Sequence, residues 1–118
     1  MKNLLSLALI LCFGITVFGQ TATAESTAKS FVEAWKTKNK KKIAELATPK
    51  IAKQQNLNYP PEKSEIYEFD GCSAEGTNWR CVWYLQGGEG GSGISLLVKK
   101  LGGKYKVTFF AVGDFEAM

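Results

Sequence analysis

The sequence predicts an α+β fold in which two or three N-terminal helices pack on a curved four-stranded antiparallel meander. Three observations carry this. Ala28, Phe31, Val32 and Trp35 recur at helical spacing in the first half; the hydrophobic period changes to two from Ser64; and two tight-turn signals, Gly76-Thr77 and Gly102-Gly103, divide the second half into hairpins. At 118 residues, 45% hydrophobic and 22% charged with 3 Pro, the chain is one domain long and neither disordered nor fibrous.

Residues 1–24 read as a cleavable signal peptide rather than as part of the fold. Lys2 gives a positive start, residues 4–18 form an uncharged apolar run, and small residues follow at Gly19 and at Ala22-Thr23-Ala24. Cleavage is expected after Gly19 or after Ala24, leaving a single domain over 25–118. A permanent span needs about 20 apolar residues, and Gly14, Thr16 and Gly19 interrupt this run. Leu11 stands where a lipoprotein signal wants a small residue before Cys12. The protein is therefore expected to be exported, periplasmic or secreted, with no membrane span in its mature form.

Export decides how the cysteines are read. Cys12 leaves with the signal, so Cys72 and Cys81 remain, and a pair in an oxidising compartment implies one disulfide. The chain has no His, which removes Ser-His-Asp and Cys-His catalysis and leaves too few ligands for a structural zinc site. No metal and no cofactor is called for. The net charge is +4 and unevenly spread: residues 25–53 carry 8 Lys against 3 Glu, while residues 62–89 carry 6 acids against Lys63 and Arg80. Lys36, Lys38, Lys40, Lys41 and Lys42 surround a helix junction and read as a solvated helix face; no nucleic-acid partner is expected.

Each element has its own signal. The first helix is predicted at about ten residues, starting near Ser26 or Thr27. Thr37-Lys38-Asn39 breaks it, and Asn39 is positioned to cap a second helix carrying Ile43, Leu46 and Ala47. Thr48-Pro49 repeats the cap signal before a third turn with Ile51 and Ala52, and residues 54–63 form a connecting loop. With Glu75 and Asn78 closing the Gly76-Thr77 turn, Cys72 falls opposite Cys81 at a non-hydrogen-bonded position, where Cα atoms approach to about 4.5 Å. With Gly102-Gly103 as the second turn, Val98 faces Val107, Leu96 faces Phe109 and Ile94 faces Ala111. That register leaves Phe110 on the opposite face, with Leu97 and Leu101. Between the hairpins, residues 87–93 contain a literal G-x-G-x-x-G from Gly88 to Gly93. A dinucleotide fingerprint must open a helix, whereas strand-like alternation begins here at Ile94, so the segment reads as a flexible loop able to act as a lid.

The run Ala28-Lys29-Ser30-Phe31-Val32-Glu33-Ala34-Trp35, the break Lys38-Asn39 and Ile43-Ala44-Glu45-Leu46, followed by the strands to Phe115, resembles the small secreted members of the nuclear-transport-factor-2-like (cystatin-like α+β roll) superfamily. The resemblance spans about 90 residues. It implies a cone-shaped pocket between sheet and helices, pairing of two subunits through the outer sheet face, and a function that ranges over isomerases, dehydratases, ligand binders and interaction modules. An enzyme would draw its acid-base groups from Asp70, Asp114, Tyr67, Tyr84 and Tyr105, none at a diagnostic spacing.

A sheet with large apolar residues on both faces must curl, and a ten-residue helix is about 15 Å long. Any small-molecule site is therefore expected between the first helix and the concave sheet face, with Tyr67, Asp70, Arg80 and Tyr84 as polar candidates. The function expected is an exported non-catalytic binding or interaction module of the cell envelope, taking a small apolar ligand or an envelope protein. The alternative is a small pocket enzyme of isomerase or dehydratase type. A buried carboxylate with a raised pKa inside the cone favours the enzyme; a cone filled by Phe31, Trp35, Trp79 and Trp83 favours the interaction module.

Overall fold

The structure is a computed structural model that describes residues 20–87 and 91–118. The apolar run at 4–18 and the cleavage signal at Gly19 lie outside the described residues, as do Gly88, Glu89 and Gly90 of the glycine-rich loop, whereas Ala22-Thr23-Ala24 lies within them. Helix α1 occupies 20–36, followed by α2 (Lys40–Leu46), α3 (Pro49–Ala52) and a 3-10 turn (Gln55–Asn58). Strands β1 (Tyr67–Glu75), β2 (Asn78–Leu85), β3 (Ser92–Leu101) and β4 (Lys104–Asp114) then form one antiparallel sheet in the order β1-β2-β3-β4, and a second 3-10 turn (Phe115–Ala117) ends the chain. This is the predicted α+β architecture, with a curved, unclosed sheet.

The first helix is longer than predicted: its apolar stripe extends back through Ala24, which is fully buried, and the helix is already formed at Gln20. Thr23 and Thr27 do not stop it, because the Thr27 hydroxyl donates to the Thr23 carbonyl at 2.9 Å, four residues back. The helix ends where predicted. Lys38 takes φ +55°, and the Asn39 N–H reaches back to the Ala34 carbonyl at 2.8 Å, closing the last turn as a Gly or Asn at this position would. Holding a lysine there costs about 1–2 kcal/mol of backbone strain. The Asn39 side chain then accepts from the Lys42 N–H at 3.1 Å, capping α2, and Pro49 opens α3. Residues 54–63 are less irregular than expected, because Leu57 is buried and draws Gln55–Asn58 into a 3-10 turn.

The two hairpins differ in how far their registers run true. In the first, Glu75 pairs with Asn78, Ala74 with Trp79 and Cys72 with Cys81, as derived from the turn. The cysteines are bridged, with Cα atoms 4.1 Å apart. Beyond them a bulge inserts Asp70 opposite no partner, with Gly71 at φ +111° taking up the bend. In the second hairpin Val98 faces Val107, but a bulge at Thr108 then shifts the pairing, so that Leu96 faces Phe110 and Ile94 faces Val112. The expected pairs Leu96 with Phe109 and Ile94 with Ala111 are therefore wrong by one residue. The shift sends Phe110 to the helix side, where it is buried, and leaves Phe109 and Ala111 on the outer face. The reason is packing: the Phe110 ring meets Phe31 at 5.0 Å and Trp35 at 5.3 Å, both edge to face.

The core lies between α1 and the helix-side face of the sheet. Ala24, Ala28, Phe31, Val32 and Trp35 from α1 meet Cys81, Trp83, Ile94, Leu96, Val98, Val107 and Phe110 from three strands. Burial of each large side chain stabilises the fold by about 1.5–3 kcal/mol. Helices α2 and α3 are tied to the β4 edge: Ala47 bridges Val107, the Thr48 N–H donates to the Val107 carbonyl at 3.1 Å, and the Lys106 ammonium donates to the Glu45 carbonyl.

Candidate functional site

The sheet distributes the predicted polar residues over both its faces. Side chains alternate along β2, so Trp79, Cys81 and Trp83 point toward α1 while Arg80, Val82 and Tyr84 point away. Arg80 is fully committed on that outer face. Its guanidinium donates to both carboxylate oxygens of Glu75, at 2.7 and 3.3 Å, and to the Ser95 hydroxyl at 2.6 Å, and it lies over the Phe109 ring. The hydrogen bond from Arg80 holds the Glu75 carboxyl below the usual carboxylate range, and the same bond pushes the guanidinium up. Tyr84 is exposed, its ring 5.4 Å from Phe115. Asp70 is the exposed bulge residue of β1.

Tyr67 alone of the four approaches the helical layer, with its ring 6.3 Å from that of Trp35. Burial, followed by the nearby Glu65 carboxylate, pushes its phenol up from the ordinary value. The remaining acid-base candidates are dispersed as well. Asp114 caps the final 3-10 turn by accepting from the Glu116 N–H at 3.0 Å, and Tyr105 packs on Trp79 at 5.5 Å. Asp70 and Asp114 stand on opposite edge strands, which lie about three strand spacings or 14 Å apart, and at different levels along them. That is too far for the two carboxylates to share a proton or one substrate atom.

The space between α1 and the concave face is occupied by the protein itself. Phe31, Trp35, Trp83 and Phe110 are each 4% exposed or less, and Ile94, Leu96 and Val98 beneath them are fully buried. Trp79 completes the aromatic layer at its edge, partly buried against the same cluster. Among the described residues no carboxylate is buried.

An open cavity lies elsewhere, at the helical end of the molecule, in a place the sequence reading missed. It measures about 490 Å³. Ile43 of α2, Ala52 of α3 and Leu57 of the 3-10 turn form its apolar floor, and Lys38, Lys40 and Lys53 stand around it. Among the described residues none of these three lysines is in an ion pair, whereas Lys29 and Lys42 are paired with Glu25 at 3.1 Å and Glu45 at 3.9 Å. Gln54 also lines the cavity, and its side-chain oxygen is buried with no hydrogen-bond partner among the described residues. A second cleft of about 420 Å³ adjoins it, sharing Lys38 and Asn58 and running past Trp35, Tyr67, Glu62 and Glu65.

The local sequence explains how the cavity arises. Three short helical segments follow one another at Lys40, Pro49 and Gln55, each too short to cover the next. The Trp35 indole N–H donates to the Asn56 carbonyl at 3.3 Å, fixing the 3-10 turn over the end of α1. Ile43 and Leu57 thus meet across a gap instead of in contact with a fourth element. Among the described residues no cluster of Cys, Asp and Glu is arranged to hold a metal ion. No protein-family model matches the chain, and no curated protein or solved structure does either.

Proposed function

We propose that the protein is a non-catalytic binding or interaction module of the cell envelope, of nuclear-transport-factor-2-like type, whose ligand site is the cavity at its helical end. The observation that carries this reading is the filling of the helix–sheet interior by Phe31, Trp35, Trp83 and Phe110. A pocket enzyme on this architecture would keep that interior open and place an acid-base group in it. Here the interior is apolar and closed, and the carboxylates stand at the rim of the sheet. The binding surface then has to be found outside the interior, and the 490 Å³ cavity falls within the roughly 300–1,000 Å³ typical of small-molecule sites.

A thermal-shift screen of small apolar and amphiphilic metabolites tests this. The expected result is stabilisation by several degrees that Ala52→Phe, which fills the floor, removes while leaving the circular dichroism spectrum unchanged. Turnover of a substrate that Asp70→Asn or Asp114→Asn abolishes would restore the enzyme reading.

Export is supported by the Cys72–Cys81 bridge in a small domain, and among the described residues no helix is long and apolar enough to cross a membrane. Of the two cleavage positions, the one after Gly19 leaves Ala24 in the core and the helix intact from Gln20 onward. Intact mass of the exported protein is expected to start at Gln20 with two hydrogens missing; a start at Glu25 or a pair of free thiols counts against it.

Pairing of two copies through the outer sheet face is a second reading. Val82, Leu97, Phe109 and Ala111 favour it, as apolar residues of that face left only half-buried. Sedimentation should then give a dimer that Leu97→Glu dissociates; a monomer at all accessible concentrations rejects it.

A further inference from the structure

We infer that the cavity at the helical end takes a small amphiphilic anion: one aliphatic tail bearing one anionic head group. The inference rests on the binding-module reading and names the ligand class of that same cavity. Its floor and its rim have opposite chemistries. Ile43, Ala52 and Leu57 offer apolar surface from three separate elements, which suits a tail. Lys38, Lys40 and Lys53 supply three cations at the mouth. Acidic partners neutralise Lys29 and Lys42 elsewhere on the helices, but none is paired with these three among the described residues.

The surroundings also bias the head group's position. The adjoining cleft carries Glu62 and Glu65, whose charges repel an anion, so the head is directed to the α2 and α3 side. The strained backbone of Lys38 keeps that side chain at the shared edge of both cavities, where a glycine would relieve the strain but remove the charge. Size sets the limit on the tail. A methylene occupies about as much room as a water, roughly 30 Å³, so about 490 Å³ holds at most one chain of about sixteen carbons and not the two long chains of a membrane lipid.

Calorimetric titration of the purified protein with decanoate, octanoate, decanol and phosphatidylglycerol vesicles tests the inference. Saturable decanoate binding is expected, about fifteenfold tighter than octanoate for the two methylenes lost. It should weaken with salt and fall at least about tenfold in the triple variant Lys38→Gln, Lys40→Gln, Lys53→Gln, whose side chains are exposed and whose replacement leaves the core untouched. Ala52→Phe should abolish it. Decanol binding as tight as decanoate would overturn the anion inference while leaving a binding module standing. Failure of every soluble probe would overturn both. Binding to vesicles without binding to decanoate would also overturn it, since the lysines would then serve a lipid surface and the cavity nothing.

Discussion

The two hairpins share a sheet but are stabilised by different means. In the second, β3 is buried from Gly93 to Val98 but for half-buried Leu97, and Val98, Leu96 and Ile94 pack under α1. In the first, β1 is an edge strand whose last three residues are exposed, and it contributes only partly buried side chains, Tyr67, Phe69 and Cys72, to the core. The covalent bridge sits in the hairpin that buries less. What the contrast teaches is that the disulfide holds a strand that apolar burial alone holds weakly, while the second hairpin needs no such link.

If this is right, core truncation in the second hairpin should be the most damaging change. Phe110→Ala removes the ring on which Phe31 and Trp35 both pack and should cost about 3–5 kcal/mol, read as a fall in the denaturant midpoint. Replacing both bridge cysteines by alanine should cost less, about 2–3 kcal/mol, since the closed loop spans only 9 positions in sequence. Its local signature sharpens the comparison: amide exchange should rise in β1 and leave β3 and β4 protected. Equal exchange across the sheet would show that the bridge supports the whole fold and not one edge.

Deleting Thr108 should cost less again. The residue opposes no partner, and its removal leaves Phe109 outside and Phe110 inside in an uninterrupted ladder. A deletion that unfolds the protein would mean that the bend itself, and not the placement of Phe110, is what the bulge supplies. The smallest effect belongs to the exposed Glu75–Arg80 pair. Its folded-state carboxyl pKa lies below the unfolded value, so the pair contributes stability above the unfolded pKa that is lost as pH falls through the folded one. Glu75→Gln should therefore lower the neutral region slightly, leave stability at low pH unchanged and so flatten the acidic limb of the profile. A deeper acid sensitivity in the variant contradicts this.

The hairpins also divide in how much of them could be read from sequence. The first was legible in register from its turn as far as the disulfide, because a two-residue turn and an opposed cysteine pair constrain the same alignment; the bulge at Asp70 beyond them was not. In the second, the run Val107-Thr108-Phe109-Phe110-Ala111-Val112 is apolar at both parities. Either alignment is consistent with a strand, and only contact with Phe31 and Trp35 selects the bulged one. The start of α1 was missed for a related reason: residues 20–24 carry small and hydroxylated side chains that suit a cleavage site as well as a helix, and Ala24 shows its value only when the core closes on it. The candidate site was least legible. Tyr67, Asp70, Arg80 and Tyr84 were grouped by strand membership, yet strand alternation and a bulge send them to different surroundings. Lys38, Lys40 and Lys53 were visible as charge but not as a rim, since the turn that brings Leu57 opposite Ile43 is made by tertiary contacts.

The two edges of the sheet are closed to very different degrees. At β4, Ala47 and Thr48 pair with Val107, which occupies that point of the outer ladder with the chain's own backbone. At β1 no further strand pairs among the described residues, and Asp70 stands out of the ladder midway along it with Glu68 and Glu75 also exposed. An incoming strand from another molecule would have to match an interrupted, acidic template. Runaway strand-to-strand stacking is thereby discouraged along the β1 edge, by charge and interruption where β4 relies on cover.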